Sequence, residues 1–414
     1  MRHLTWGAIA LVLAGAAAAQ TESPAPPLSG QIRLQWDQRQ ASSGGPLAAA
    51  DRLLPGTVAA PGDGATLAVE LHGSGKGWNA SATLQQQTQR GVTTQNRAWF
   101  NELVATHDAG AWQFSAGKKI VAWDVGYAFR PNDVVQQEVR RTLVSTLDEG
   151  RPVLMAEHFD ADTAWSWVWV NPTRPRAQTG SQEPALAARM YRHQGSVDWH
   201  GFARLGAHTG GSAGAAVAWV ASDAMELHAS ARWMKRADSL AVNSNATGLV
   251  HTDPWGAASV AHPLQALIGG TWTNESQLGV LAEAWWDGTA LSDSQWAAWG
   301  SRNALLEKLP TLGAPASAAA GNLAWQADAF SAASSLRRSN LYLRLSWEHE
   351  AWQPTLDMLY QPADGGHAAT AALLWKGDRV QLQGGARAYG GPAGAVLAQL
   401  PVRRQAYLRG VWSF

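Results

Sequence analysis

Cysteine is absent from the chain, which excludes a disulfide framework, a thiolate metal site and a cysteine nucleophile. Charge is scarce: 15% of the 414 residues are charged, against roughly 25% in ordinary globular domains. Lys plus Arg (32) equals Asp plus Glu (32), so bulk charge gives no reason to expect a nucleic-acid partner. Beyond the N-terminus no run of about eighteen apolar residues occurs, which removes any spanning helix. No phosphate-binding loop is present, and His72, His200 and His228 stand singly rather than at ligand spacing. No cofactor and no metal are expected.

Tryptophan is abundant, with 23 residues against 7 Phe and 6 Tyr. It is favoured where one side of the ring is apolar and the other wet, as at a bilayer interface. The N-terminus reads as a cleaved export signal over 1–19. Arg2 and His3 make a basic start, Trp6 to Gly15 an apolar run, and Ala17-Ala18-Ala19 a small-residue cleavage site. A Pro-rich lead-in follows at 20–28 and is expected to be disordered.

Alternation of period two then dominates. Ile32, Leu34 and Trp36 oppose Arg33, Gln35 and Asp37; Leu341, Leu343, Leu345 and Trp347 oppose Tyr342, Arg344, Ser346 and Glu348. Trp165, Trp167 and Trp169 share one face of a strand, as an aromatic girdle requires. In Ala98–Thr106 the phase is ambiguous; facing Trp99, Leu103 and Ala105 outward keeps Glu102 out of lipid. About eighteen strands can be read this way, with sixteen the next choice.

The last stretch is the most telling. Ala406, Leu408, Gly410, Trp412 and Phe414 fall on one side, while Gln405, Tyr407, Arg409 and Ser413 fall on the other. This resembles the C-terminal strand of Gram-negative outer-membrane β-barrels, with Leu408, Trp412 and Phe414 in the places of the insertion signature. The resemblance implies a single closed antiparallel transmembrane β-barrel over 29–414 in the cell outer membrane. Its implied partners are outer-membrane lipid, lipopolysaccharide and the barrel-assembly machinery. More loosely, Gly117 to Trp123 with Pro131-Asn132-Asp133 resembles a motif of alginate-export-type barrels. Those often carry Arg where Lys118 stands and Gly where Asp124 stands.

The connections fit that reading. Short turns such as 73–77, 107–110 and 376–378 alternate with longer loops at 38–64, 86–97, 120–151, 171–185, 236–263, 287–338 and 390–401. Short periplasmic turns and long extracellular loops are the outer-membrane pattern. In 120–151, Asn132 or Asp133 can cap a short helix. The segment carries Asp124, Arg130, Asp133, Glu138, Arg140 and Arg141. Resemblance to porins implies that this third outward loop folds into the lumen as a constriction; a solvated surface loop is the alternative. In 287–338, Ser292 can cap a helix that places Trp296, Trp299 and Leu306 on one face and is stopped by Pro310. The Ala/Gly/Ser-rich remainder is expected to be mobile.

The inner face should line the pore with Arg189, Arg204, Arg232, Arg344, Arg379, Arg387 and Arg409 against Glu70, Glu102, Glu226 and Glu283. Such charges either pair across strands or set up a transverse field that sorts solutes. The sequence-based expectation is a porin-like channel for small polar or anionic solutes, not an enzyme. An accessory barrel for polysaccharide export or surface assembly is the alternative. A rim hydrolase built on Gly210-Gly211-Ser212-Ala213-Gly214 is the least favoured, since a nucleophile elbow needs a strand–turn–helix context.

Overall fold

The computed structural model describes residues 28–137, 149–175, 177–243 and 248–414. The export segment 1–19, residues 20–27 of the lead-in, and Glu138, Arg140 and Arg141 lie outside the described residues.

The first strands are β1 (Ser29–Ala41), β2 (Gly64–Gly75), β3 (Trp78–Gln89), β4 (Val92–Ala109), β5 (Trp112–Lys119) and β6 (Arg151–Phe159). They continue as β7 (Thr163–Val170), β8 (Ala185–Gln194), β9 (Val197–Gly206), β10 (Gly210–Ser222) and β11 (Met225–Met234). After the hairpin of β12 (Arg236–Val242) and β13 (Trp255–Ala261) come β14 (Leu264–Thr273), β15 (Leu278–Asp287) and β16 (Ser339–Trp347). β17 (Trp352–Gln361), β18 (Gly366–Lys376), β19 (Val380–Gly390) and β20 (Val402–Ser413) complete the set. Neighbours pair antiparallel in chain order, β11 passes to β14, and β20 pairs back onto β1. The result is a closed barrel of 18 strands, with β12 and β13 forming a separate two-stranded sheet.

Closure rests on the last strand. Ile32 opposes Trp412 and Trp36 opposes Leu408 on the outside, while Gln35 opposes Arg409 on the inside. Phe414 and Gly30 exchange both backbone hydrogen bonds at 3.0 Å. A Cβ on Gly30 would stand 2.6 Å from the Phe414 ring and 2.7 Å from the Glu70 carbonyl, so only glycine admits this contact.

All eight connections at one end are short, the longest being 274–277 and 348–351. The opposite end carries the long loops 42–63, 120–150, 171–184, 235–263, 288–338 and 391–401. The expected loop 86–97 is instead a continuation of β3 and β4 that closes in a turn at Arg90-Gly91, with Gly91 at φ 79°. Exposed tryptophans ring the turn end: Trp78, Trp112, Trp165, Trp199, Trp219, Trp272, Trp347, Trp352 and Trp412. Trp169, Trp233 and Trp286 mark the loop end, and exposed Leu34, Leu103, Ile268 and Leu343 lie between. An apolar band bounded by aromatic belts matches hydrocarbon between two wet interfaces.

β4 departs from simple alternation. Ser81 opposes Glu102, but Ala82 opposes Phe100, so Asn101 is an extra residue in a bulge. Leu103 and Ala105 face outward as expected. Trp99 does not: it opposes the buried, inward Thr83 and lies beneath the Arg97 guanidinium at 4.5 Å. The bulge resets the phase so that Phe100 and Leu103 meet lipid while neither Asn101 nor Glu102 must. Asn101 accepts from the Thr83 hydroxyl at 2.7 Å, and Glu102 accepts from the Ile120 amide at 2.8 Å.

The long loops fold together above the barrel. Helix α1 (Gly45–Leu53) packs with α2 (Asp293–Lys308) and α3 (Ala316–Trp325). Ser292 forms a capping box with Gln295 at the start of α2. Trp296, Trp299 and Leu306 share its buried face. The stretch expected to be mobile is therefore partly α3, whose Ala-rich sequence favours helix and packs Ala320 and Leu323 against Ala49, Ala50 and Leu306. A second core joins Trp296 and Trp299 to Ala329, Ala332 and Val396. The loop expected at 236–263 holds the β12–β13 hairpin.

Candidate channel lumen

The segment following β5 turns into the barrel and packs against the inner faces of β6 to β10. Val121, Trp123, Val134 and Val135 form one core with Val153, Met155, Val168, Val170, Ala187, Phe202 and Ala216. Where they meet the insert, these strands are apolar on both faces, as expected of strand segments buried on both sides. Burying each larger side chain contributes on the order of 1.5–3 kcal/mol.

Polar struts fix the inserted segment. Glu283, with a fully buried carboxylate, accepts the Tyr127 and Ala128 amides at 2.6 and 2.7 Å, and His228 Nε2 lies 3.0 Å from it. Arg204 donates to the Val134 carbonyl at 2.6 Å and pairs with Glu183 at 3.3 Å. Arg232 donates to the Pro131 carbonyl at 3.3 Å and to the Ser212 hydroxyl at 3.0 Å. Asn132 donates its side-chain amide to Ser230 Oγ at 2.9 Å and to the Ala231 carbonyl at 3.0 Å. The Asp124 carboxylate accepts from the Asn132 amide and from the Ser230 hydroxyl at 2.7 Å. Burial pushes this carboxyl above the usual aspartate range, although those hydrogen bonds and nearby Arg130 work the other way.

The described part of the expected helix, up to Gln137, consists of turns; the rest lies outside the described residues. Asp124 is turned into the packed wall, whereas Tyr127, Phe129, Arg130, Pro131 and the largely buried Asp133 border the remaining space.

That space is a cavity of about 1010 Å³ between the insert and the inner faces of β16 to β20. Arg344, Arg387 and Arg409 all line it. Arg344 pairs with Asp357 at 3.5 Å and reaches the Tyr127 hydroxyl. Arg387 donates to Thr370 Oγ1 at 2.7 Å. Among the described residues neither Arg387 nor Arg409 has a carboxylate within ion-pair distance. The whole lining carries six arginines (130, 232, 236, 344, 387 and 409) against three aspartates (133, 238 and 357). Phe330 to Leu336, from the loop between β15 and β16, roofs the cavity at the loop end.

The other expected lining residues are spread differently. Arg379 is not on the wall: it is exposed in the turn 377–379, because β19 begins only at Val380. Arg189 faces inward on β8, 3.2 Å from His200 Nδ1, and Glu226 faces inward near the turn end. Glu70 pairs with Arg33 at 3.2 Å. Glu102 and Glu283 bind backbone amides of the insert. Of the carboxylates expected to face the basic wall, Glu70, Glu102 and Glu283 are thus engaged by a neighbouring strand or by the insert. Sequence reasoning passed over Tyr342 and Tyr407, although each stands two residues from an inward arginine and so shares its face. Tyr127, Arg236 and the roof segment came from loops, where no period reveals direction.

No protein-family profile matches this chain, and no curated protein matches it. Among solved structures, Pseudomonas aeruginosa OccK5 (OpdH) aligns over 94% of this chain and 97% of its own, at 7% identity and a TM-score of 0.52. The chain shares that protein's barrel fold. A mutant form of the Rh. blastica porin covers 94% and 99% of the two chains at 11% identity, with a TM-score of 0.45.

Proposed function

We propose that this chain is an outer-membrane, porin-like channel that passes small anionic solutes. The observation that carries the reading is the charge of the cavity wall, where six arginines face three aspartates. Fixed cations lining a confined aqueous path raise the local concentration of anions and lower that of cations. The apolar band and aromatic belts support residence in a membrane. Insertion would proceed through Leu408, Trp412 and Phe414, read by the barrel-assembly machinery. The experiment is the reversal potential of the refolded chain in a planar bilayer under a KCl gradient. The wild type should favour chloride, and Arg344→Glu, Arg387→Glu and Arg409→Glu together should move the potential toward potassium. An unchanged potential in the triple variant would remove the anion reading.

The interlocked cap favours a second reading, a barrel closed by its loops that serves polysaccharide export or surface assembly. α1 and α3 come from different loops and share one core over the mouth. A channel silent until residues 293–325 are replaced by a short linker would favour it. The hydrolase reading has no such support: Ser212 lies on β10 and its hydroxyl accepts from Arg232.

A further inference from the structure

We propose that the outer wall between β11 and β16 binds a phosphate-bearing glycolipid of the outer leaflet through Lys235, His262 and Arg338. The proposal rests on the barrel being an outer-membrane protein, and not on which solute it passes.

Trp233 ends the outward row of β11 and opposes Leu264 of β14. Trp286 ends that of β15 and opposes Ala266 of β14. Both rings are exposed, at 47% and 43%. Two strand spacings separate them, roughly 10 Å. Each carries a cationic or ring-nitrogen group on its loop-end side. The His262 ring stacks on Trp233 with centroids 6.0 Å apart. The Arg338 guanidinium lies over Trp286 at 5.9 Å. Lys235 is exposed two residues beyond Trp233, and its carbonyl accepts the His262 amide at 3.0 Å, which joins the two residues.

None of the three has a carboxylate partner among the described residues. Arg338 donates Nε to the Ala290 carbonyl at 3.1 Å, which holds the side chain and leaves its terminal nitrogens for a ligand. Three other cations at this end are neutralised: Arg90 pairs with Asp63 at 3.3 Å, Lys118 with Glu149 at 2.5 Å, and Arg337 with Asp293 at 3.0 Å. The strand carboxylate beside Arg338, Asp287, is buried and faces inward, where it accepts from Gln265 and Thr289. Unpaired cations above an aromatic belt complement a phosphomonoester, with acyl chains lying along Leu264 and Ile268 below. The occupant is therefore a membrane lipid rather than a soluble phosphate, because the rings and the apolar wall continue the site into the bilayer.

The test uses the full chain refolded into phosphatidylcholine nanodiscs doped with bisphosphorylated lipid A or with its dephosphorylated form. Retained lipid is counted by native mass spectrometry. The wild type should retain the phosphorylated form on the order of tenfold or more over the dephosphorylated one. The K235Q/H262Q/R338Q variant should lose that preference while keeping its β-sheet circular dichroism. Equal retention of the two lipids by wild type, or an undiminished preference in the variant, would overturn the proposal. So would displacement of the lipid by excess inorganic phosphate, which would make the site one for free anion. If the triple variant fails to fold, Arg338→Gln alone is read in the same way. Failure of the wild type to insert would strike the membrane reading instead.

Discussion

The two halves of the barrel interior are built on opposite principles. From β6 to β10 the part of the inner wall that meets the insert is Val153, Met155, Val168, Val170, Ala187, Phe202 and Ala216, and the insert packs on it like a soluble core. From β16 to β20 the inner wall presents Tyr342, Arg344, Asp357, Thr370, Arg387, Tyr407 and Arg409 to an open cavity. Both halves meet an apolar exterior, so the difference lies entirely in what occupies the inside. An apolar inner face needs a plug, because unfilled it would expose greasy surface to water. A polar inner face can tolerate water, and its charges then act on solutes rather than on the fold. The struts at the boundary, Glu283 and Arg232, come from strands but serve the insert.

The sharpest way to break the contrast is to place one charge on each side. Val168→Asp should destabilise the refolded barrel by about 3–5 kcal/mol, the cost of an unpaired buried charge, whereas Gln383→Asp should stay within about 0.5 kcal/mol. Urea unfolding in detergent measures both. Equal costs would mean that the packed half is not a core. Next, Glu283→Ala removes the acceptor of two backbone amides, at about 1–3 kcal/mol each. The insert should loosen, seen as larger and noisier single-channel steps and as new protease cleavage within 120–137. A quiet, protected variant would show that the apolar contacts alone hold it.

Smaller effects are expected on the open side. Arg409→Gln should reduce chloride preference with a stability change under about 1 kcal/mol, since no ion pair is lost. The corresponding Arg379→Gln, in an exposed turn, should leave the reversal potential where it was. A pH effect is smaller still. Because the Asp124 carboxyl is raised on burial, its charged form opposes seating of the insert, fully so above the raised value. Acidification through the window between that value and the ordinary one, about 3.9, relieves the penalty. Channel noise should therefore fall as pH drops through that window, and should do so less in Asp124→Asn.

Much of this was legible in the residues. The count of strands, the outward set Trp165, Trp167 and Trp169, and the parity of short and long connections follow from a period of two and from turn chemistry. The capped helix beginning after Ser292 follows from its local signature. Even the packed half left a trace, since Val168 and Val170 interrupt the expected polar face of β7. The phase of β4 was not legible. A bulge at Asn101 is selected by the contacts of Thr83 and Ile120, which are distant in the chain.

Period-two hydropathy alone specified a closed, lipid-facing ring of strands, because each residue must be either in hydrocarbon or out of it and alternation records that choice locally. What the inward side chains do was decided only by folding. Glu283 and Arg409 carry equally inward signals, yet one supports the backbone of the insert and the other faces open space. That division depends on which strands the insert leans against, and a contact between residues more than a hundred positions apart leaves no period to read.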